Sequence, residues 1–148
     1  MPRVERILLP IDESEATANA IAPAIEFAEE SDATLHVLAV TDQSSSAERD
    51  VMFERFETES QTVADDVTDR AADSRVSSVA ISIAVGLPSQ VICEYATNRG
   101  IDLIVMGTHG RTGIDRVLRR SVCESVVRWS DTPVYVVPIP DRDTTDDR

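Results

Sequence analysis

The sequence contains no lysine. Its 14 basic residues are all arginines, set against 27 aspartates and glutamates, for a formal net charge of −13. The missing lysine rules out a P-loop, which needs that side chain on the nucleotide phosphates. No G-x-G-x-x-G follows the first apolar run, so the dinucleotide fingerprint is missing too. An acidic surface of this kind excludes broad nucleic-acid binding, which requires a basic footprint. Cysteine is scarce: Cys93 and Cys123 have no C-x-x-C spacing and few histidine partners, which excludes a disulfide framework and a metal site and leaves two small buried hydrophobes. Long apolar runs are also absent. Ile7-Leu8-Leu9-Pro10-Ile11 is too short for a signal peptide, and nothing reaches the length of a membrane span. The chain is therefore expected to be soluble and cytoplasmic, with no membrane partner.

The charge has its own physical reading. Acid excess without lysine resembles proteins from organisms that keep molar salt in the cytoplasm, where screening acts over about 3 Å at 1 M and relieves self-repulsion. Codon bias in a GC-rich genome would account for arginine replacing lysine, but not for the excess of acid.

The 148 residues fit one domain, expected over 1–140, with a polar, acidic and disordered tail over 141–148. Continuous apolar runs over 5–11, 34–40, 76–85, 102–107 and 134–137 predict five buried strands. Between them, 3.6-residue periodicity predicts helices. The first runs from an N-cap at Ser14 to Glu30. The second covers about 47–73, with Met52, Phe56, Val63, Val67 and Ala71 on one face. The third starts after Gly86-Leu87-Pro88-Ser89, packs through Val91, Ile92, Tyr95 and Ala96, and ends at Gly100. The last covers about 121–130, anchored by Trp129. Strands alternating with helices predict an open parallel α/β sheet with helices on both faces and right-handed crossovers.

In such sheets ligands lie beyond the carboxyl ends of the strands, near the point where strand order reverses. The candidates are Pro10-Ile11-Asp12-Glu13-Ser14, Val40-Thr41-Asp42, and the loop Gly107-Thr108-His109-Gly110-Arg111-Thr112-Gly113. Glycines at 107, 110 and 113 allow close backbone approach, and exposed N–H groups before a helix favour an anion such as phosphate. Arg111, Arg116, Arg119 and Arg120 place four of the 14 arginines within ten residues of an otherwise acidic chain. They form either a local anion sink or ordinary pairs with nearby carboxylates. Ser121 would sit at a helix N-terminus with its hydroxyl toward an anion. His36 reads as a core residue and His109 as an exposed loop residue, and no local motif sets up a nucleophile with a base.

Met106 to Gly113, then Ser121-Val122, then Pro133 to Pro138, together with Ile7 to Ser14, resemble the universal stress protein family over residues 4–138. Gly107, Gly110 and Ser121 match that family's G-x2-G-x9-G-[ST] pattern, whereas Arg120 occupies the third glycine position. The resemblance implies a Rossmann-like fold of the adenine-nucleotide-binding type, holding ATP with or without Mg2+ and turning it over slowly or not at all. It implies that Asp12 holds the adenosine end beside Pro10, that the Val40 backbone meets the adenine edge, and that Met106 packs on the base. Gly107, Gly110 and Ser121 would cradle the phosphates. Arg120 would either obstruct the phosphates or add a guanidinium to them. The short apolar edge strand Val134–Val137, bracketed by prolines, predicts a homodimer, as does the resemblance. The alternative is a dimeric interaction module with a degenerate phosphate site. Relatives of the fold that form adenylates or transfer electrons are a third class.

Overall fold

The computed structural model describes residues 3–12, 15–41, 49–108 and 122–138. In chain order they form β1 (Arg6–Ile11), α1 (Glu15–Ser31), β2 (Thr34–Thr41), α2 (Arg49–Ala72), β3 (Val79–Val85), α3 (Pro88–Asn98), β4 (Leu103–Thr108), α4 (122–129) and β5 (Val134–Pro138). The strands make one parallel sheet in the order β3-β2-β1-β4-β5.

The apolar strands are explained by burial on both faces. In β1, Ile7, Leu9 and Ile11 face a core shared with α1 and α2, through Ala20, Ile21, Ala24, Ala64 and Val67. Leu8 points the other way, into a second core with Leu38, Ile104 and Met106 beneath Ile92 and Ala96 of α3 and Cys123 and Val126 of α4. The period of two thus divides a continuous apolar run between two layers of helix. Each such side chain, fully buried, contributes about 1.5–3 kcal/mol. Of the predicted faces, Phe56, Val63 and Val67 pack on the first core and Val91, Ile92, Tyr95 and Ala96 on the second, while the Met52 side chain lies outside what the structure describes.

Several expectations change. The third strand begins at Val79, not at 76. The Ser74 hydroxyl donates to the carbonyl of Ala71 at 2.6 Å and accepts from the amide of Val76 at 3.1 Å, so a polar turn extends the end of α2 and delays ladder pairing to Val79 with Leu35. Trp129 does not anchor α4. Cys123 and Val126 fill the inward face, and Trp129, one turn beyond Val126 at the helix end, is 72% exposed. Cys123 is buried but Cys93 only half-buried; burial pushes both thiols up, aided at Cys93 by Asp131 and Glu94 and at Cys123 by Glu124. His36 is a core residue, as read. The Ser14 N-cap and the segments 42–48 and 139–148 lie outside the described residues.

Candidate functional site

The chain leaves β1 toward β2 and β3, then crosses to the other side for β4 and β5, so β1 and β4 flank the point where strand order reverses. The two strands part early. β1 pairs with β2 as far as Ile11 with Ala39, but with β4 only at Ile7 with Leu103 and Leu8 with Ile104. Two residues further along β1 stands Pro10, which has no N–H to give to a neighbouring ladder. The carboxyl ends of β1 and β4 therefore bound a crevice rather than a continuous sheet. β2 also runs past β1, which places Val40 beyond the last β1 partner.

An open pocket of about 100 Å3 occupies that crevice. Six of the residues singled out in the sequence line it together: Pro10, Ile11, Asp12, Val40, Met106 and Gly107. Gly110, Arg120 and Ser121, like His109, lie outside the described residues. The remaining lining was not anticipated. Leu38, Ile92 and Val122 build an apolar wall, Pro88 closes it at the start of α3, and Thr17 of α1 stands beside Asp12.

The β3–α3 turn that delivers Pro88 and Ile92 depends on Gly86. Its φ of +151° is rare for residues with a side chain, and a Cβ there would meet Val91 Cγ2 at 2.8 Å. Its amide donates to the carbonyl of Thr41 at 2.8 Å, tying the turn to the end of β2.

At the acidic edge, the Thr17 hydroxyl donates to Asp12 Oδ1 at 2.8 Å and accepts from the Asp12 amide at 2.9 Å. Thr17 is buried and Asp12 half-buried. Thr17 has no periodic or motif signal in the sequence; only its place in the first turn of α1, five residues after Asp12, hints at the contact. Among the described residues that line the pocket, Asp12 is the one carboxylate. The pocket thus combines an apolar wall with a hydrogen-bond acceptor at one side and a glycine at the other. No group of three or more metal-ligating side chains occurs among the described residues.

The model of the universal stress protein family matches residues 3–138. The chain belongs to that family. Universal stress protein MJ0531 of Methanocaldococcus jannaschii is 32% identical over 94% of this chain and 85% of its own. The solved structure of MJ0577 from the same organism superposes with a TM-score of 0.80 at 27% identity, covering 95% of this chain and 99% of that one. A universal stress protein solved in complex with cAMP shares the fold, with a TM-score of 0.69 at 23% identity over 93% of this chain and 98% of its own. The parallel five-stranded architecture and the family expected from Ile7 to Ser14 and Met106 to Gly113 are therefore both established. Among the described residues, no helix is long and apolar enough to cross a membrane.

Proposed function

We propose that this chain is a cytoplasmic stress-response protein that binds ATP in the β1–β4 crevice, in a regulatory or sensing role with little or no turnover. The carrying observation is the union in one pocket of Asp12, an apolar wall that includes Met106 and Val40, and Gly107. A flat base suits the wall. A carboxylate accepts hydrogen bonds from hydroxyl or amino groups and repels phosphate, so the nucleoside end belongs at Asp12 and the phosphates extend past Gly107. Gly110 and Ser121 would complete the phosphate cradle with Arg120 as a cationic neighbour, and Pro10 and the Val40 backbone would border the adenosine. Mg2+ would arrive on the phosphates. Membership in a family with a member solved with cAMP supports an adenine nucleotide as the ligand class.

Equilibrium dialysis of ATP against the protein in molar KCl tests the reading, together with mass spectrometry of nucleotide that copurifies. Saturable binding that Asp12→Ala weakens by about 2- to 13-fold, the range of one hydrogen bond, is expected. A wild type that binds no adenine nucleotide ends the proposal.

The second reading is a non-nucleotide interaction module. Trp129 and Val127 of α4 and Tyr135 and Val136 of β5 are all exposed, which favours self-association through the strand Val134–Val137. A homodimer is compatible with both readings. The dialysis separates them, because the module alone predicts a dimer without nucleotide.

A further inference from the structure

Asp12 lies one residue past β1, and both its N–H and its Oδ1 meet the same atom, Thr17 Oγ1. One hydroxyl accepts from the Asp12 N–H and donates to Asp12 Oδ1. The contact therefore fixes the backbone entering the pocket and the direction of the carboxylate at once. The hydroxyl is itself well placed for this: Thr17 is 6% exposed, its side chain is β-branched and stiff at χ1, and its backbone belongs to the first turn of α1, which packs on the first core through Ala20, Ile21 and Ala24. Threonine directs its hydroxyl proton at Oδ1, which accepts it.

We infer that Thr17 is a positioning residue: it holds the Asp12 carboxylate as an aimed acceptor for donor groups on the nucleoside end of the ligand. This rests on the nucleotide reading above and adds to it the residue through which Asp12 acts. Thr17 works by way of Asp12 and not by touching phosphate. Removing its hydroxyl costs affinity for adenosine and for ATP by the same factor, and costs nothing once Asp12 is gone.

The test is a double-mutant cycle read by equilibrium dialysis in molar KCl, with adenosine and ATP as probes. Thr17→Val, close to threonine in shape, is expected to weaken both probes by about 3- to 10-fold. Thr17→Ser, which keeps the hydroxyl, is expected to restore binding. In the Asp12→Ala background, Thr17→Val is expected to have no further effect. Thermal melts accompany each variant; if Thr17→Val does not fold, Thr17→Ala takes its place. Wild-type affinity in Thr17→Val overturns the inference while leaving the nucleotide reading intact. So does an equal loss in the Asp12→Ala background, which would make Thr17 a general support of the pocket, and so does failure of Thr17→Ser to rescue. A wild type that binds neither probe overturns the reading and the inference together.

Discussion

His36 Nδ1 lies 2.8 Å from the hydroxyl of Tyr95, joining β2 to α3. The two rings meet edge to face at 5.8 Å, and the guanidinium of Arg99 sits 4.9 Å above the Tyr95 ring. Burial lowers the His36 pKa, and the positive charges of Arg99 and Arg6 lower it further. The folded protein thus keeps the imidazole neutral where an unfolded chain would begin to protonate it.

That difference gives a signed pH dependence. Below the ordinary histidine value of 6.5 the unfolded state binds the extra proton and the folded state resists it. The contribution to stability is complete above that value and is lost as pH falls from it toward the lower folded pKa. Melting temperature should therefore drop on acidification through this window, and less so in His36→Gln, which has nothing there to titrate. Parallel pH profiles for the two proteins would show that another group is responsible.

Gly86→Ala should destabilise the protein by about 1–3 kcal/mol, because φ of +151° is held against a side chain and the new Cβ strikes Val91. Adding Val91→Ala relieves the contact but not the backbone strain, so it should recover only part of the loss. Denaturant melts of the three proteins measure both parts. Full recovery would assign the whole cost to the clash, and no loss in Gly86→Ala would show that the turn adapts.

Much of this was legible because parallel strands covered on both faces need continuous apolar runs, and those runs end where ligands bind. Pro10, Asp12, Val40 and Gly107 could be picked out as residues near strand ends, and Met106 through the resemblance to the family. Thr17, Ile92 and Val122 could not. They sit on helices, and which helical residue leans over a strand end is set by how the helix docks, a long-range property. Trp129 was misjudged for the same reason: a large aromatic near a helical stripe looks like an anchor until the helix is seen to end there. Val76 and Val79 favour a strand from 76, but the side-chain bonds of Ser74 to Ala71 and Val76 compete with it.

Salt should stabilise the fold. The ion pairs among the described residues are Arg3–Glu5 at 3.5 Å and Arg70–Asp66 at 3.3 Å, both on the surface, in a chain of net charge −13. Such pairs contribute about 0–1 kcal/mol each and offset little of the repulsion among the carboxylates. Raising KCl from about 0.1 to about 1 M shortens the screening length from about 10 to about 3 Å, so the melting temperature should climb across the whole range. A flat profile would remove the halophilic reading and leave codon bias to explain the missing lysine.

Assembly can be tested at β5, which lies at the end of the strand order and pairs with β4 on one side. Tyr135 and Val136 of β5 are exposed, as are Val127 and Trp129 of α4. Not all of them are equally good probes. Val134 packs on the second core and the Tyr135 ring meets Phe27 at 4.9 Å, so substitutions there would mix folding with association. Val136, 38% exposed, and Trp129 are cleaner. A two-fold axis would bring each β5 against its own copy, antiparallel, so one substitution acts twice in the dimer. Val136→Asp places two carboxylates at that axis in a molecule already strongly negative and should give a monomer whose melting temperature stays close to that of the parent's folded unit. Trp129→Ala should weaken the dimer without abolishing it, since it removes apolar area but adds no charge. Light scattering in molar KCl, where intersubunit repulsion is screened, reads both. A wild type that stays monomeric at micromolar concentration would refute the dimer, and a Val136→Asp protein that remains dimeric would move the interface away from β5.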